Sequence, residues 1–162
     1  MQELKILIVE DDVLIAEDLK DTISSFGVKT IEMAHEKPIA IRKIEEFDPD
    51  IVLLDIRMET TQTGIEIAEL INEKYKKPFI YITSHSDVAT IKKMAVSNPA
   101  GYITKPIKKS DLLAAISIIA SNLKQLAYQA NIGALVIEER ERTPSTLEQW
   151  FSTHPLTEER IA

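Results

Sequence analysis

Leu4-Lys5-Ile6-Leu7-Ile8-Val9-Glu10-Asp11-Asp12 is the stretch that decides the fold: an apolar run broken only by Lys5 that ends in three carboxylates. A short, nearly continuous apolar run of this kind reads as a strand buried on both faces. Downstream, Ile15, Leu19, Ile23 and Phe26 recur at spacings of four, four and three, one stripe on a helix that Gly27 stops. The unit is therefore a strand followed by a helix, with acidic residues at the junction.

The same alternation repeats along the chain. Lys29 to Met33 reads as a strand, and Ala40, Ile41, Ile44 and Phe47 as a helix. Asp48-Pro49-Asp50 supplies a break before the strand Ile51 to Leu54. Gly64 to Lys74 carries Ile67, Ala68, Leu70 and Ile71 at helical spacing, Phe79 to Thr83 is a fourth strand, and Val88, Ile91 and Ala95 mark a fourth helix. Gly101 to Thr104 is a short fifth strand, and from Lys108 a long helix runs without Gly or Pro until Gly133. Strands alternating with helices imply parallel crossovers, hence a doubly wound α/β fold on a five-stranded parallel sheet. In such sheets the loops at the carboxyl ends of the strands meet at one rim, which is where chemistry belongs.

Composition bounds the chemistry. The chain has 162 residues, 44% hydrophobic and 28% charged, enough for one domain with a real core and a short appendage. It has no cysteine, which excludes disulfide scaffolds, thiolate metal sites and cysteine nucleophiles. A net charge of −7 argues against gripping nucleic acid by bulk electrostatics, so DNA contact is expected only through an output domain lying elsewhere. No run approaches the ~20 apolar residues of a membrane span, and the opening residues lack a signal-peptide pattern, so a cytoplasmic protein without membrane contact is expected.

On this topology Asp11 and Asp12 follow the first strand, Asp55 the third, Thr83 ends the fourth and Lys105 follows the fifth. Carboxylates converging at one rim repel each other, and a hard cation with oxygen ligands relieves this; Mg²⁺ is the natural candidate because it keeps coordination positions open for a phosphoryl oxygen. Asp55 is then able to act as a nucleophile toward phosphorus, with metal and ammonium neutralising the transferring oxygens. Each residue also has a plain structural reading. An Asp pair before a helix suits N-capping, Asp55 suits a turn, Thr83 a helix start and Lys105 a solvated loop. Joint placement at one rim favours the functional reading, because independent capping roles do not require it.

Residues 1 to about 126 resemble the receiver domain of bacterial two-component response regulators. The likeness is carried by Ile8-Val9-Glu10-Asp11-Asp12, Leu53-Leu54-Asp55-Ile56, Tyr81-Ile82-Thr83-Ser84 and Gly101-Tyr102-Ile103-Thr104-Lys105-Pro106. The resemblance implies a flavodoxin-like receiver fold and a phosphorylation-dependent switch that takes a phosphoryl group from a sensor histidine kinase or phosphotransfer protein. It implies Asp55 as phosphoacceptor, Asp12 as a direct metal ligand, Asp11 as a second acidic residue of the metal pocket and the Arg57 backbone carbonyl as a further ligand. Thr83 and Lys105 are implied to bind the phosphoryl group, Tyr102 to swing inward when Thr83 moves, and Lys105-Pro106 to be a cis peptide. It further implies a self-phosphorylating and self-dephosphorylating regulatory domain without a turnover substrate. Met58 to Gly64 departs from the family pattern by lacking the usual proline and by being about a residue longer. Arg57 and His85 stand where receivers tune hydrolysis of the acyl phosphate.

The reporting surface is expected from Asp87 to Leu126. Leu112, Ile116, Ile119, Leu123, Leu126 and Ala130 form a heptad stripe, read as sheet cover in its first three residues and as a homodimer-forming extension beyond. Residues 127–162 are read as helix extension, linker and the start of an output domain of a transcription regulator. Leu135-Val136-Ile137 is taken as a strand, Glu138 to Arg142 as a solvated charge run, Thr143-Pro144-Ser145 as a linker, Leu147 to Phe151 as helical, and Pro155 to Ile161 resembles the opening of a helix-turn-helix. His35, His85 and His154 show no paired spacing and read as surface or loop residues.

Two other classes share features with this pattern. A haloacid-dehalogenase-type Mg-dependent phosphohydrolase needs a second aspartate two residues after its nucleophile, and Val13 and Leu14 occupy those positions. A flavodoxin-like nucleotide or flavin binder needs a glycine-rich phosphate loop after the first strand, which is missing.

Overall fold

The computed structural model describes residues 3–84 and 88–140. Strands β1 (Lys5–Val9), β2 (Thr30–Ala34), β3 (Ile51–Asp55), β4 (Phe79–Thr83) and β5 (Gly101–Thr104) alternate with helices α1 (Val13–Ser24), α2 (Lys37–Glu46), α3 (Thr61–Leu70), α4 (Val88–Val96) and α5 (Lys109–Arg140). The strands pair in parallel in the order β2-β1-β3-β4-β5. All their carboxyl ends therefore lie on one rim, and the order reverses at β1, the switch point where crevices form in such sheets.

Burial follows the position of each strand in the sheet. β3 and β4 are buried at every residue, whereas edge strand β2 is half-buried up to Ala34 and edge strand β5 exposes Tyr102 and Thr104 while burying Ile103. Alternation sends Leu7, Val9, Val52 and Leu54 into one core with Ala40 and Ile44 of α2, Ile65, Ile67 and Ala68 of α3, and Met94 of α4. Ile6, Ile8 and Leu53, also buried, point the opposite way. On α1 the buried positions are Ala16, Leu19 and Ile23, and the Lys109 ammonium of α5 lies 5.6 Å from the Phe26 ring centroid just beyond α1. Gly27, at φ +92°, ends that helix in a conformation that a side chain resists.

The structure corrects several expectations. The third helix does not run as one α-helix to Lys74, because Ile71–Tyr75 forms a π-helical turn that ends at Lys76 in a left-handed conformation. In α4 the positions that marked the helix, Val88, Ile91 and Ala95, are exposed, and Met94 is the buried residue. Leu135-Val136-Ile137 is helical, not a strand, since α5 passes through Gly133 to Arg140. One glycine costs a helix interior only ~1 kcal/mol, so it need not end a helix. Leu112, Ile116 and Ile119 are buried as sheet-covering residues, whereas Leu126 is exposed. The chain divides into two units, Met1–Ile119 and Ala120–Ala162. The expectations for His85, His154, Thr143 to Ser145, Leu147 to Phe151 and Pro155 to Ile161 fall outside the described residues.

Candidate functional site

Parallel strands deliver the polar residues to a common rim. Asp55 is the last residue of β3, 4% exposed, and Glu10 follows β1 at 1% exposed. Burying two carboxylates beside each other is unfavourable unless something compensates. Lys105 does so from the loop after β5: its Nζ lies 2.9 Å from Asp55 Oδ2 and 3.2 Å from Glu10 Oε2. The loop is fixed by the Lys105 N–H, which donates to the Thr83 carbonyl at 2.8 Å, and the Lys105–Pro106 peptide is cis. The other Asp55 oxygen, Oδ1, accepts the Arg57 N–H at 2.9 Å.

Glu10, Asp11 and Asp55 each offer a carboxylate oxygen, and these oxygens lie within 4.8 Å of one another. The electrostatics match the crowding. Burial, then the hydrogen bond to Asp55 and its charge, push the Glu10 carboxyl up to about 8, against the lowering influence of the Asp12 backbone and Lys105. Burial alone would lower the Lys105 pKa, but the hydrogen bonds and charges of Asp55 and Glu10 outweigh it, so the ammonium form is favoured. Asp11 reaches the far side of the site, where its Oδ2 accepts the Glu59 N–H at 3.2 Å and ties the loop after β3 to the loop after β1. Glu59 sits there at φ +50°.

Asp12, expected as a direct ligand, is not in this cluster. Its Oδ1 accepts the Leu14 and Ile15 N–H groups at 2.9 and 3.2 Å, the N-cap of α1, while its own N–H donates to Glu10 Oε1 at 3.1 Å. The acidic pair of the pocket is thus Glu10 and Asp11, one residue earlier than expected. Capping preference for Asp immediately before a helix contained that signal. His35, expected as an ordinary surface or loop residue, supports the site: its Nδ1 donates to the Glu10 carbonyl at 2.8 Å and steadies the loop after β1. Thr83 is buried at the end of β4, and Tyr102 on β5 is 48% exposed.

An acidic pocket closed by a lysine, on a parallel sheet of order 2-1-3-4-5, is matched over residues 6–117 by the family described as response regulator receiver domain. The chain belongs to that family.

Among curated receiver relatives, "Transcriptional regulatory protein PdtaR" of Mycobacterium tuberculosis is 27% identical, covering 90% of this chain and 70% of its own length. The "Positive alginate biosynthesis regulatory protein" of Pseudomonas aeruginosa is 34% identical over 70% of this chain but only 46% of its own length. Among solved structures, the signal receiver domain of a modulated diguanylate cyclase from Desulfovibrio desulfuricans is 31% identical with a TM-score of 0.69, covering 76% of this chain and 98% of that one. The chain is therefore a signalling domain of the two-component type, related to transcriptional regulatory response regulators. Receiver domains partner with histidine kinases and carry an acidic pocket for Mg²⁺. The phosphohydrolase alternative finds no support. Among the described residues no helix is long and apolar enough to cross a membrane.

Proposed function

We propose that Asp55 is the phosphoacceptor and that the pocket of Glu10, Asp11 and Asp55, with the Arg57 backbone carbonyl, holds Mg²⁺. The observation that carries this reading is the buried Asp55 carboxylate bracketed by the Lys105 ammonium at 2.9 Å and by two further carboxylates. The donor set fits the ion: all ligands are hard oxygens, and three carboxylates crowd together with one neighbouring ammonium. Bound magnesium would neutralise the carboxylates and the charge on the transferring oxygens.

An Asp55 oxygen attacks phosphorus of a phosphohistidine on the kinase or phosphotransfer protein. The phosphorus–nitrogen bond breaks with its electron pair returning to the imidazole, and an aspartyl phosphate forms. Lys105 moves from pairing with the carboxylate to pairing with a phosphoryl oxygen. The added charge draws Thr83 toward the phosphoryl group, and Tyr102 turns inward behind it. Water later hydrolyses the acyl phosphate, so the domain resets without turning over a separate substrate.

The output surface is the exposed apolar face of Val88, Ile91, Tyr102 and Leu113. Residues 1–126 act as the receiver and residues 127–162 as the connection to an output domain of a transcription regulator. The exposed Leu126 supports homodimer formation through the last helix, which light scattering before and after phosphorylation would test. Incubation with acetyl phosphate and Mg²⁺ followed by intact mass tests the central reading. One phosphoryl adduct per chain is expected, and it is absent in Asp55→Asn; sustained turnover of unrelated phosphate esters would contradict it.

A further inference from the structure

A buried polar chain ties β4 to the end of α4 and is not used by the phosphoryl chemistry. Tyr81, on β4, is fully buried, and its hydroxyl lies 2.6 Å from Ser97 Oγ just beyond α4. Ser97 is itself 4% exposed, and its hydroxyl donates to the Met94 carbonyl at 2.7 Å. A serine has one proton to give, so Tyr81 must be the donor to Ser97. Burial pushes the Tyr81 phenol up to about 12, opposed by the Ser97 hydrogen bond, and keeps it protonated as that role requires. The Ser97 carbonyl accepts the side-chain amide of Asn72 in the π-helical turn. Tyr81 is thereby tied to the end of α4 and, through Ser97, to the turn after α3.

The ring of Tyr81 has a second neighbour. Tyr81 and Tyr102 are partners in the β4–β5 register, and their rings stack with centroids 6.2 Å apart and 26° between planes. From the other side Phe79 meets Tyr81 edge-on at 5.2 Å. Tyr102 is thus an exposed ring leaning on a buried ring whose far end is hydrogen-bonded to α4.

We propose that Tyr81 is a positioning residue: anchored by Ser97, its ring forms the wall that holds Tyr102 outward and couples the orientation of Tyr102 to the end of α4. The proposal rests on the reading of Tyr102 as the moving aromatic, and it concerns the protein before phosphorylation. Offset aromatic pairs and a single buried hydrogen bond are each worth ~1 kcal/mol. Releasing the anchor should therefore change the balance between two ring positions severalfold without unfolding the domain.

The test uses the full chain with isotope-labelled tyrosine. Nuclear Overhauser contacts from the Tyr102 ring to Thr83 report the inward position, and contacts to Tyr81 the outward one. Tyr81→Phe keeps the ring stack and removes only the hydroxyl, and Ser97→Ala removes its acceptor. Each should raise the inward-to-outward ratio measurably, with about fivefold as the ceiling reached when the hydrogen bond is felt only in the outward state. Ser97→Thr, which keeps a hydroxyl, should restore the wild-type ratio. A ratio unchanged in Tyr81→Phe, or the same in Ser97→Thr as in Ser97→Ala, overturns the proposal. Should Ser97→Ala fail to fold by circular dichroism, Tyr81→Phe decides alone. Adding acetyl phosphate and Mg²⁺ to the wild type is a separate arm. A Tyr102 ring that does not move there contradicts the phosphorylation-driven swing and leaves the resting comparison to decide the role of Tyr81.

Discussion

Lys105 and Asp55 are separated by 50 residues in sequence and by 2.9 Å in space, a contact made because parallel strands bring their carboxyl ends to one rim. Lys105 also reaches Glu10 at 3.2 Å, so a single ammonium is shared by two buried carboxylates.

Replacing Lys105 by Met removes the ammonium that compensates buried Asp55 and Glu10, so some stability is lost, and circular dichroism checks that the variant stays folded before rates are compared. The substituted protein is expected to accept phosphate from acetyl phosphate at least ~10-fold more slowly, since an aimed charge is lost where negative charge accumulates. Initial rates by intact mass check this. A rate equal to wild type would remove Lys105 from the phosphoryl site.

Asp12 and Asp11 should separate cleanly. Asp12→Ala removes the cap of α1 and is expected to cost ~1 kcal/mol in denaturant unfolding, with little change in magnesium affinity. Asp11→Asn should weaken magnesium binding at least ~10-fold, the scale seen when support at a metal site is lost. Calorimetric titration of both variants distinguishes the two registers. Strong magnesium loss in Asp12→Ala would return that residue to the metal site.

The register is also where sequence reading stopped short. The five strands, the rim and the positions of Asp55, Thr83 and Lys105 were legible because buried parallel strands leave long apolar runs and end in polar residues. Glu10-Asp11-Asp12 offers three carboxylates in a row, and which two turn into the pocket depends on where α1 begins. That start is set by the hydrogen bonds from Leu14 and Ile15 to Asp12, a choice made by local geometry. On α4 the spacing of Val88 and Ile91 marks a helix without saying which face is buried; both are exposed, and Met94 meets the core.

Metal-free protein should lose stability as pH rises. The Glu10 carboxyl titrates near 4.5 in an unfolded chain and is raised to about 8 in the fold. Between those values the folded state holds a proton that the unfolded state has released, so stability falls with pH. The contribution is complete below pH 4.5 and is gone once pH has risen through about 8. In chelator, the denaturation midpoint at pH 8 is expected below that at pH 6, and Glu10→Gln should flatten the difference. A midpoint that rises across this range, with the same slope in Glu10→Gln, would contradict the assignment.

Gly64 has no room for a side chain. A Cβ there would lie 2.4 Å from the Ile56 carbonyl oxygen and 2.8 Å from the Ile56 carbonyl carbon and Cα, all backbone atoms directly after Asp55. Gly64→Ala must push α3 or the loop after β3 aside, at a cost of about 1–3 kcal/mol. Denaturant unfolding measures the loss, and slower phosphorylation should accompany it as Asp55 is displaced.

The most direct measurement is to locate the phosphoryl group. After reaction with acetyl phosphate and Mg²⁺, tandem mass spectrometry of peptides is expected to find a single acid-stable, base-labile modification on Asp55. A phosphoryl group on Asp11, Asp12 or a hydroxyl side chain, or undiminished labelling in Asp55→Asn, would contradict the site described here.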